Sequence, residues 1–418
     1  MKEATIIRDH ENVRRLFPGV CDKVFLDAAC VSLAPITAAD AISGFLQNAM
    51  LCPEPTATAQ HLAMDASRET ARMEAARLIG ASPDEIAIVE STTAGLNCVV
   101  PALPLEDGDN VLICDLEFPQ VAIPFENMRR FKRIELRPVP HRNGIVTADD
   151  FAKICDSRTK AIAVSSVQWS NGLKLDLAAL SEVAARRRAW LLVDAIQHLG
   201  ASQLDVSGLG IDVLACGGHK WLNAPFGCGF LYVNRARLRE LQPVTRGYLT
   251  MQEPEGGWGS YFSTPGITPF REYTYTENAG KFETGGTSNY PGAIGLGASL
   301  KLINQLTPAG IEAHIRSLSR ELIEGLRRRG AQVVTPDDDG RRSGIVTFRC
   351  FADPEQDAAL TSFLNARKVY VSTRYTANIG GTRVSTHFFN NSEDIDQLLE
   401  AVDSFLRQEN RTLFHRAN

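Results

Sequence analysis

Short, largely apolar runs that stop abruptly at polar or glycine-rich steps recur between residues 85 and 233. Glu85–Val89, Asn110–Cys114, Ala161–Val167, Trp190–Val193, Ile211–Cys216 and Gly229–Val233 are each too short for a buried helix. They predict strands buried on both faces. Between them, Asp65–Ile79 has apolar residues at helical spacing (Ala71, Ala75, Leu78, Ile79), and Leu177–Arg188 predicts a crossover helix. Strand, helix, strand in succession implies a mainly parallel α/β sheet with right-handed crossovers. The character changes near Ala293. Helices are predicted over Gly295–Gln305 and Glu312–Arg329, strands over Gly344–Arg349 and Val369–Ser372, and a last helix over Ser392–Arg407. That is an α+β pattern. The expected organisation is a segment 1–24, a helix and loop with Arg8 to Phe17 polar on most faces, that packs with the small domain, a large domain 25–290 and a small domain 291–418. Residues 243–281 are rich in glycine, proline and aromatics and have no helical period, so they read as long structured loops of the kind that line sites.

Charge and composition narrow the function. With 418 residues, 44% apolar content and a formal net charge of -5, the chain can bury a large core and has no basic excess to attract nucleic acid. The basic clusters at 129–133, 186–188 and 327–329 lie near helix ends and read as solvated faces. The first fifteen residues are charged throughout, no apolar run is long enough for a bilayer, and a cytoplasmic protein is expected. The nine cysteines are scattered with no paired spacing, which argues against a zinc site or a disulfide framework.

Two residues carry the chemistry. Asp194 ends one apolar run and Lys220 follows another, so neighbouring strands bring an acid and an amine to one rim of the sheet, where ligands sit. Pyridoxal phosphate needs that pair: an amine to hold its aldehyde as a Schiff base, and an acid beside its ring nitrogen. An acid in a turn and a surface lysine would leave the same trace. A second clue is Ser91-Thr92-Thr93-Ala94-Gly95 between a strand and a helix, an arrangement suited to an anion or to plain N-capping.

Asp194-Ala195-Ile196-Gln197 followed by Gly218-His219-Lys220-Trp221 resembles the class V aminotransferase family of fold-type I pyridoxal-phosphate enzymes. Cysteine desulfurases, carbon–sulfur lyases and isopenicillin epimerases belong to it. The resemblance runs from about Phe25 to about Leu399. It implies a seven-stranded, mainly parallel sheet in the large domain and pyridoxal 5'-phosphate as cofactor. It makes Lys220 the Schiff-base lysine and Asp194 the partner of the ring nitrogen. Gln197 then donates to the ring oxygen, His219 binds the phosphate with Thr92, Thr93 and the Ala94 amide, and Phe118 stacks on the ring. Thr287, in a string similar to one that reaches the neighbouring subunit's phosphate, implies a homodimer with shared sites. Arg383, with Arg374 second, grips the substrate carboxylate. Gln168 and Asn171 rank low. Gly217 replaces a serine found in many desulfurases, removing one phosphate hydroxyl and leaving a backbone amide.

The resemblance also implies an amino-acid substrate that displaces Lys220, whose freed amine removes the α-proton. Phe118 cannot exchange protons as the desulfurases' histidine can. No cysteine follows Cys350, so the usual loop nucleophile for persulfide transfer is missing. The expected reaction is β-elimination by a carbon–sulfur lyase on a cysteine-derived substrate. A specialised aminotransferase is the alternative, then an epimerase or a desulfurase-like enzyme. A non-catalytic scaffold fits less well, because all the key residues are present.

Overall fold

The computed structural model describes residues 10–417. Residues 1–9, the first part of the expected helix-and-loop segment, lie outside the description. Helix α1 (His10–Arg15) leads to a short strand β1 (Val24–Phe25), and three helices follow: α2 (Ile36–Leu51), α3 (Ala57–Ala66) and α4 (Glu69–Ile79). The single helix expected over 65–79 is therefore two. The break at Ser67-Arg68 turns the Arg68 guanidinium onto Glu283 (2.6 Å) and Ser288 (2.7 Å).

The large sheet is built from β2 (Ile86–Val89), β3 (Asn110–Cys114), β4 (Glu135–Val139), β5 (Thr159–Ser165), β6 (Trp190–Asp194), β7 (Val213–Gly217) and β8 (Gly229–Val233). Its order is β2-β8-β7-β6-β5-β3-β4. Only β8 runs against its neighbours. The seven strands match the expected α/β class. Strand β4 has no counterpart among the apolar runs because it is an edge strand. Its outer residues are polar and it contains Pro138, which an edge tolerates. Helices α5 (Thr92–Val99), α6 (Pro119–Met128), α7 (Ala148–Ile154) and α8 (Leu177–Arg187) connect the strands. The loops of 243–281 hold one short helix, α9 (Gly257–Ser263).

Helix α10 (Tyr290–Leu306) packs on α2 and α4. Its Leu296, Leu300 and Ile303 join the core around the large sheet, so the expected divide at 291 does not coincide with a change of core. The change occurs inside α11 (Pro308–Arg328), where Ile311 and Ile315 face the first core and Leu318, Leu322 and Leu326 the second. We propose the domain divide there. Beyond it, β9 (Gln332–Val333), β10 (Ile345–Arg349), β12 (Ser372–Thr376) and β13 (Ile379–Ser385) form an antiparallel sheet in the order β12-β13-β10-β9. Between β10 and β12 lie α12 (Pro354–Asn365) and β11 (Val369–Tyr370), and α13 (Ser392–Ala417) closes the chain. The N-terminal segment joins this part. Strand β1 pairs with β11, and Arg14 forms an ion pair with Asp394 at 2.8 Å.

Candidate active site

The carboxyl ends of the parallel strands supply one wall. Beyond β2, Ser91 caps α5 by accepting the Ala94 amide at 3.0 Å. The expected phosphate donor Ala94 therefore already has a partner. The Gly217 amide is also engaged: it donates to Thr92 Oγ1 at 2.8 Å, so it does not replace the missing serine. A Cβ on residue 217 would sit 3.3 Å from the Thr92 nitrogen, so a side chain there would press on the helix start. What remains for an anion is the Thr92 and Thr93 hydroxyls and the first amides of α5, which have no intrahelical acceptor. Phe118 follows β3, Ser165 and Trp169 end or follow β5, Asp194 ends β6, and His219 and Lys220 follow β7. All of them line one cavity of about 360 Å³.

Burial sets the electrostatics. Asp194 is 4% exposed, and its carboxyl is pushed up to about 6 although the Ile196 amide (2.9 Å) and Lys220 favour its charge. Burial also lowers the Lys220 ammonium more than Asp194 raises it, and Arg383 adds to the lowering. The Lys220 amine lies 5.8 Å from the centroid of the Phe118 ring. His219 stacks on Phe226 at 5.0 Å, and burial, with Lys220, lowers its pKa, which favours a neutral ring. Gln197 is oriented by its neighbours. Its carbonyl accepts the Trp221 indole N–H at 2.7 Å and its amide donates to Ala29 O at 3.0 Å, leaving one N–H for a ligand. Behind Ser165 sits Glu117, whose carboxylate accepts the Ser165 amide (2.9 Å), the Ser165 hydroxyl and Gln168 Nε2 (2.7 Å). Burial pushes Glu117 up to about 7, and the nearby Asp194 adds to it.

The four-stranded antiparallel sheet supplies the opposite wall. Strands β12 and β13 form a hairpin in which Ser372 faces Arg383 and Arg374 faces Gly381, so both arginines share one face. Arg383 is 1% exposed, donates to Trp169 O at 2.9 Å and approaches Asp27 at 3.3 Å. Arg374 touches the Cys30 sulfur at 3.4 Å and has no acidic partner among the described residues. Both line the Lys220 cavity, as do Ala29 and Cys30.

The structure thus gathers Thr92, Thr93, Phe118, Asp194, Gln197, His219, Lys220, Arg374 and Arg383. Ala94 is outside the lining. Thr287 is exposed and also outside it. Gln168 and Asn171 are scaffold: the first holds Glu117, and the second bonds Gly144 O at 2.8 Å. Trp169, between them, is the residue that reaches the cavity. Sequence reasoning also missed Cys30, Gln120 and Ser165, and gave little weight to the turn carrying Asp27. Its position after an early short strand was the available signal.

Hydroxyls and free amides at one end, an acid and an amine at the centre and an aromatic face above match the chemical features of pyridoxal phosphate. Fold and donor set together define a fold-type I pyridoxal-phosphate enzyme. The chain belongs to the class-V aminotransferase family, whose model (Aminotransferase class-V) matches residues 24–398. It is similar to the cysteine desulfurase of Salmonella typhimurium, with 29% identity over 94% of this chain and 97% of that one. A structure of a C-DES mutant, with glycine covalently linked to the pyridoxal-phosphate cofactor, superposes with a TM-score of 0.82 at 25% identity, covering 93% and 98%. A complex of the cystine C–S lyase C-DES with its reaction product cysteine persulfide has a similar fold, with a TM-score of 0.81 at 24% identity over 92% and 98% of the two chains.

Proposed function

We propose that this enzyme cleaves the carbon–sulfur bond of a cysteine-derived amino acid by β-elimination, releasing a thiol and an enamine that solvent water hydrolyses to pyruvate and ammonia. The similarity to cysteine desulfurases supports carbon–sulfur chemistry. The observation that carries elimination over sulfur transfer is the hairpin. The link between β12 and β13 is the two residues Ala377 and Asn378, and no cysteine lies on it.

The chain's own groups divide the work. Arg383 and Arg374 hold the substrate carboxylate, for which a guanidinium offers two parallel donors. Lys220, its neutral form favoured by burial, takes the α-proton. Asp194 holds a proton at the ring nitrogen, and Phe118 covers the ring face and keeps water from it. Thr92, Thr93 and His219 bind the phosphate. When bound, pyridoxal phosphate supplies the electron sink that makes the α-proton removable. Thr287, exposed and outside its own cavity, supports a shared site in a homodimer. A cytoplasmic location belongs to the same proposal.

Cys30 favours a second reading. Its sulfur lies in the cavity against Arg374, placed to accept sulfur from cysteine with alanine as product. One assay separates the readings: product analysis with S-substituted L-cysteine and with L-cysteine, without added oxo acid. Pyruvate and ammonia over many turnovers establish elimination. Alanine with a persulfide on Cys30 establishes transfer. A single conversion of the cofactor to its amine form, without pyruvate, replaces both with transamination.

A further inference from the structure

Glu117 is a buried acid beside the cavity with no share in carboxylate binding, phosphate binding or proton transfer. It lies in the turn after β3, immediately before Phe118. The β3–β5 ladder ends at Ile113–Ala163, whereas the β5–β6 ladder runs on to Ser165–Asp194. On the β3 side the ladder therefore stops short of Ser165. The Glu117 side chain takes over there. Its Oε1 accepts the Ser165 amide at 2.9 Å and Gln168 Nε2 at 2.7 Å, and its Oε2 accepts the Ser165 hydroxyl. The carboxylate continues the sheet where the backbone of β3 has turned away.

The next residue on each segment repeats the link. Phe118 meets Trp169 edge-on, with ring centroids 5.4 Å apart, just as Glu117 meets Gln168. The turn after β3 and the loop after β5 are thus joined by two successive rungs. One is polar and buried, and the other is aromatic and lines the cavity. The polar rung comes at a cost. Gln168 Oε1 is buried with no donor among the described residues. Such a group costs about 1–3 kcal/mol, which an apolar side chain of similar size would avoid. What the amide contributes is its bond to Glu117. Phe118 itself is 44% exposed, so core packing alone does not fix its ring.

We propose that Glu117 is a positioning residue that holds Phe118 where it covers the cofactor ring, by tying the turn after β3 to Ser165 and Gln168. This rests on the placing of Phe118 against that ring, and on neither elimination nor sulfur transfer. Glu117 acts through geometry rather than charge. An amide at this position can reproduce its bonds. The amide oxygen accepts the Ser165 amide and Gln168, and the amide N–H donates to the Ser165 hydroxyl, which can also accept. Burial, which pushes the Glu117 carboxyl up to about 7, already favours an uncharged group there.

The test titrates pyridoxal phosphate into the full-length protein freed of cofactor. It reads the affinity and the visible circular dichroism of the bound cofactor, which reports how firmly the ring is held. Phe118→Leu removes the aromatic face and is expected to weaken binding by up to about tenfold. Glu117→Ala is expected to match that loss, with a weaker dichroism band. Combining the two should add nothing, because both act on one contact. Glu117→Gln is expected to stay within about twofold of wild type. Gln168→Met cuts the polar rung but leaves the Ser165 amide paired. Its expected loss is about fivefold, and it keeps the test decisive if Glu117→Ala does not fold. Additive losses in the combined variant overturn the inference and leave Phe118 at the ring. So does wild-type binding by Gln168→Met and by folded Glu117→Ala. A loss in Glu117→Gln as large as in Glu117→Ala assigns the effect to the charge of the carboxylate and also overturns it. If Phe118→Leu binds as wild type does, the placing of Phe118 fails, and the inference with it.

Discussion

Asp194 and Lys220 show how burial prepares single groups for chemistry. Asp194 bears the cost of its burial, which the Ile196 amide and Lys220 only partly offset. Its folded pKa of about 6 lies above the unfolded value near 4. The folded state therefore binds the proton more tightly. Stability from this group is full below about pH 4 and is lost as pH rises through about 6. Asp194→Asn, which cannot ionise, should make the cofactor-free protein more stable than wild type above pH 7, by on the order of 2–3 kcal/mol, with little difference at pH 4. Denaturant titrations of both proteins across that range check it. The same variant should lose most activity, because a neutral amide does not hold the ring proton. At the substrate end, Arg383→Lys keeps the charge but loses the forked donors and the bond to Trp169 O. A KM increase of roughly 10–100-fold is expected in steady-state kinetics.

Among the elements, the hairpin of β12 and β13 best illustrates local strain supporting a site. Its two turn residues, Ala377 and Asn378, have φ of 45° and 64°. That left-handed pair matches the twist of a two-residue hairpin, but alanine adopts it reluctantly. Ala377→Gly should raise stability by up to about 1 kcal/mol, read as an increase in Tm, whereas Ala377→Val should lower it. Sequence patterning misses this hairpin as a pair of strands, because the turn has no Asn-Gly or Asp-Gly signal. The central strands are legible for the opposite reason. Buried on both faces, β6 and β8 are written as uninterrupted apolar runs, and the run Gly229–Val233 coincides with β8 to the residue. Edge strand β4 has half its surface outside the core, and its residues reflect that.

Across the whole molecule, the N-terminal segment clasps the C-terminal elements through β1–β11 and Arg14–Asp394, and the turn after β1 brings Asp27 and Cys30 to Arg383 and Arg374. The clasp has a weak point. Asp394, 2% exposed, accepts Arg14 and the Asn390 side chain. Asp394→Asn leaves a largely buried guanidinium without its charge partner. It should cost about 2–4 kcal/mol, visible in thermal unfolding of the holoenzyme. Arg14→Met at the same pair should show a comparable loss.

The order of residues is sufficient for the α/β class, the strand ends and the acid–amine pair. Those features are local: a strand buried on both faces must be apolar along its length, and chemistry can begin only where it stops. The family strings around Asp194 and Lys220 lie in that same short range. Other features needed the folded chain. The approach of Asp27 to Arg383 joins residues 356 positions apart. The change of core falls within α11 rather than between elements, and the Gly217 amide proves to be bonded to Thr92, 125 positions away. None leaves a periodic trace, because each depends on which distant segments meet in the folded chain.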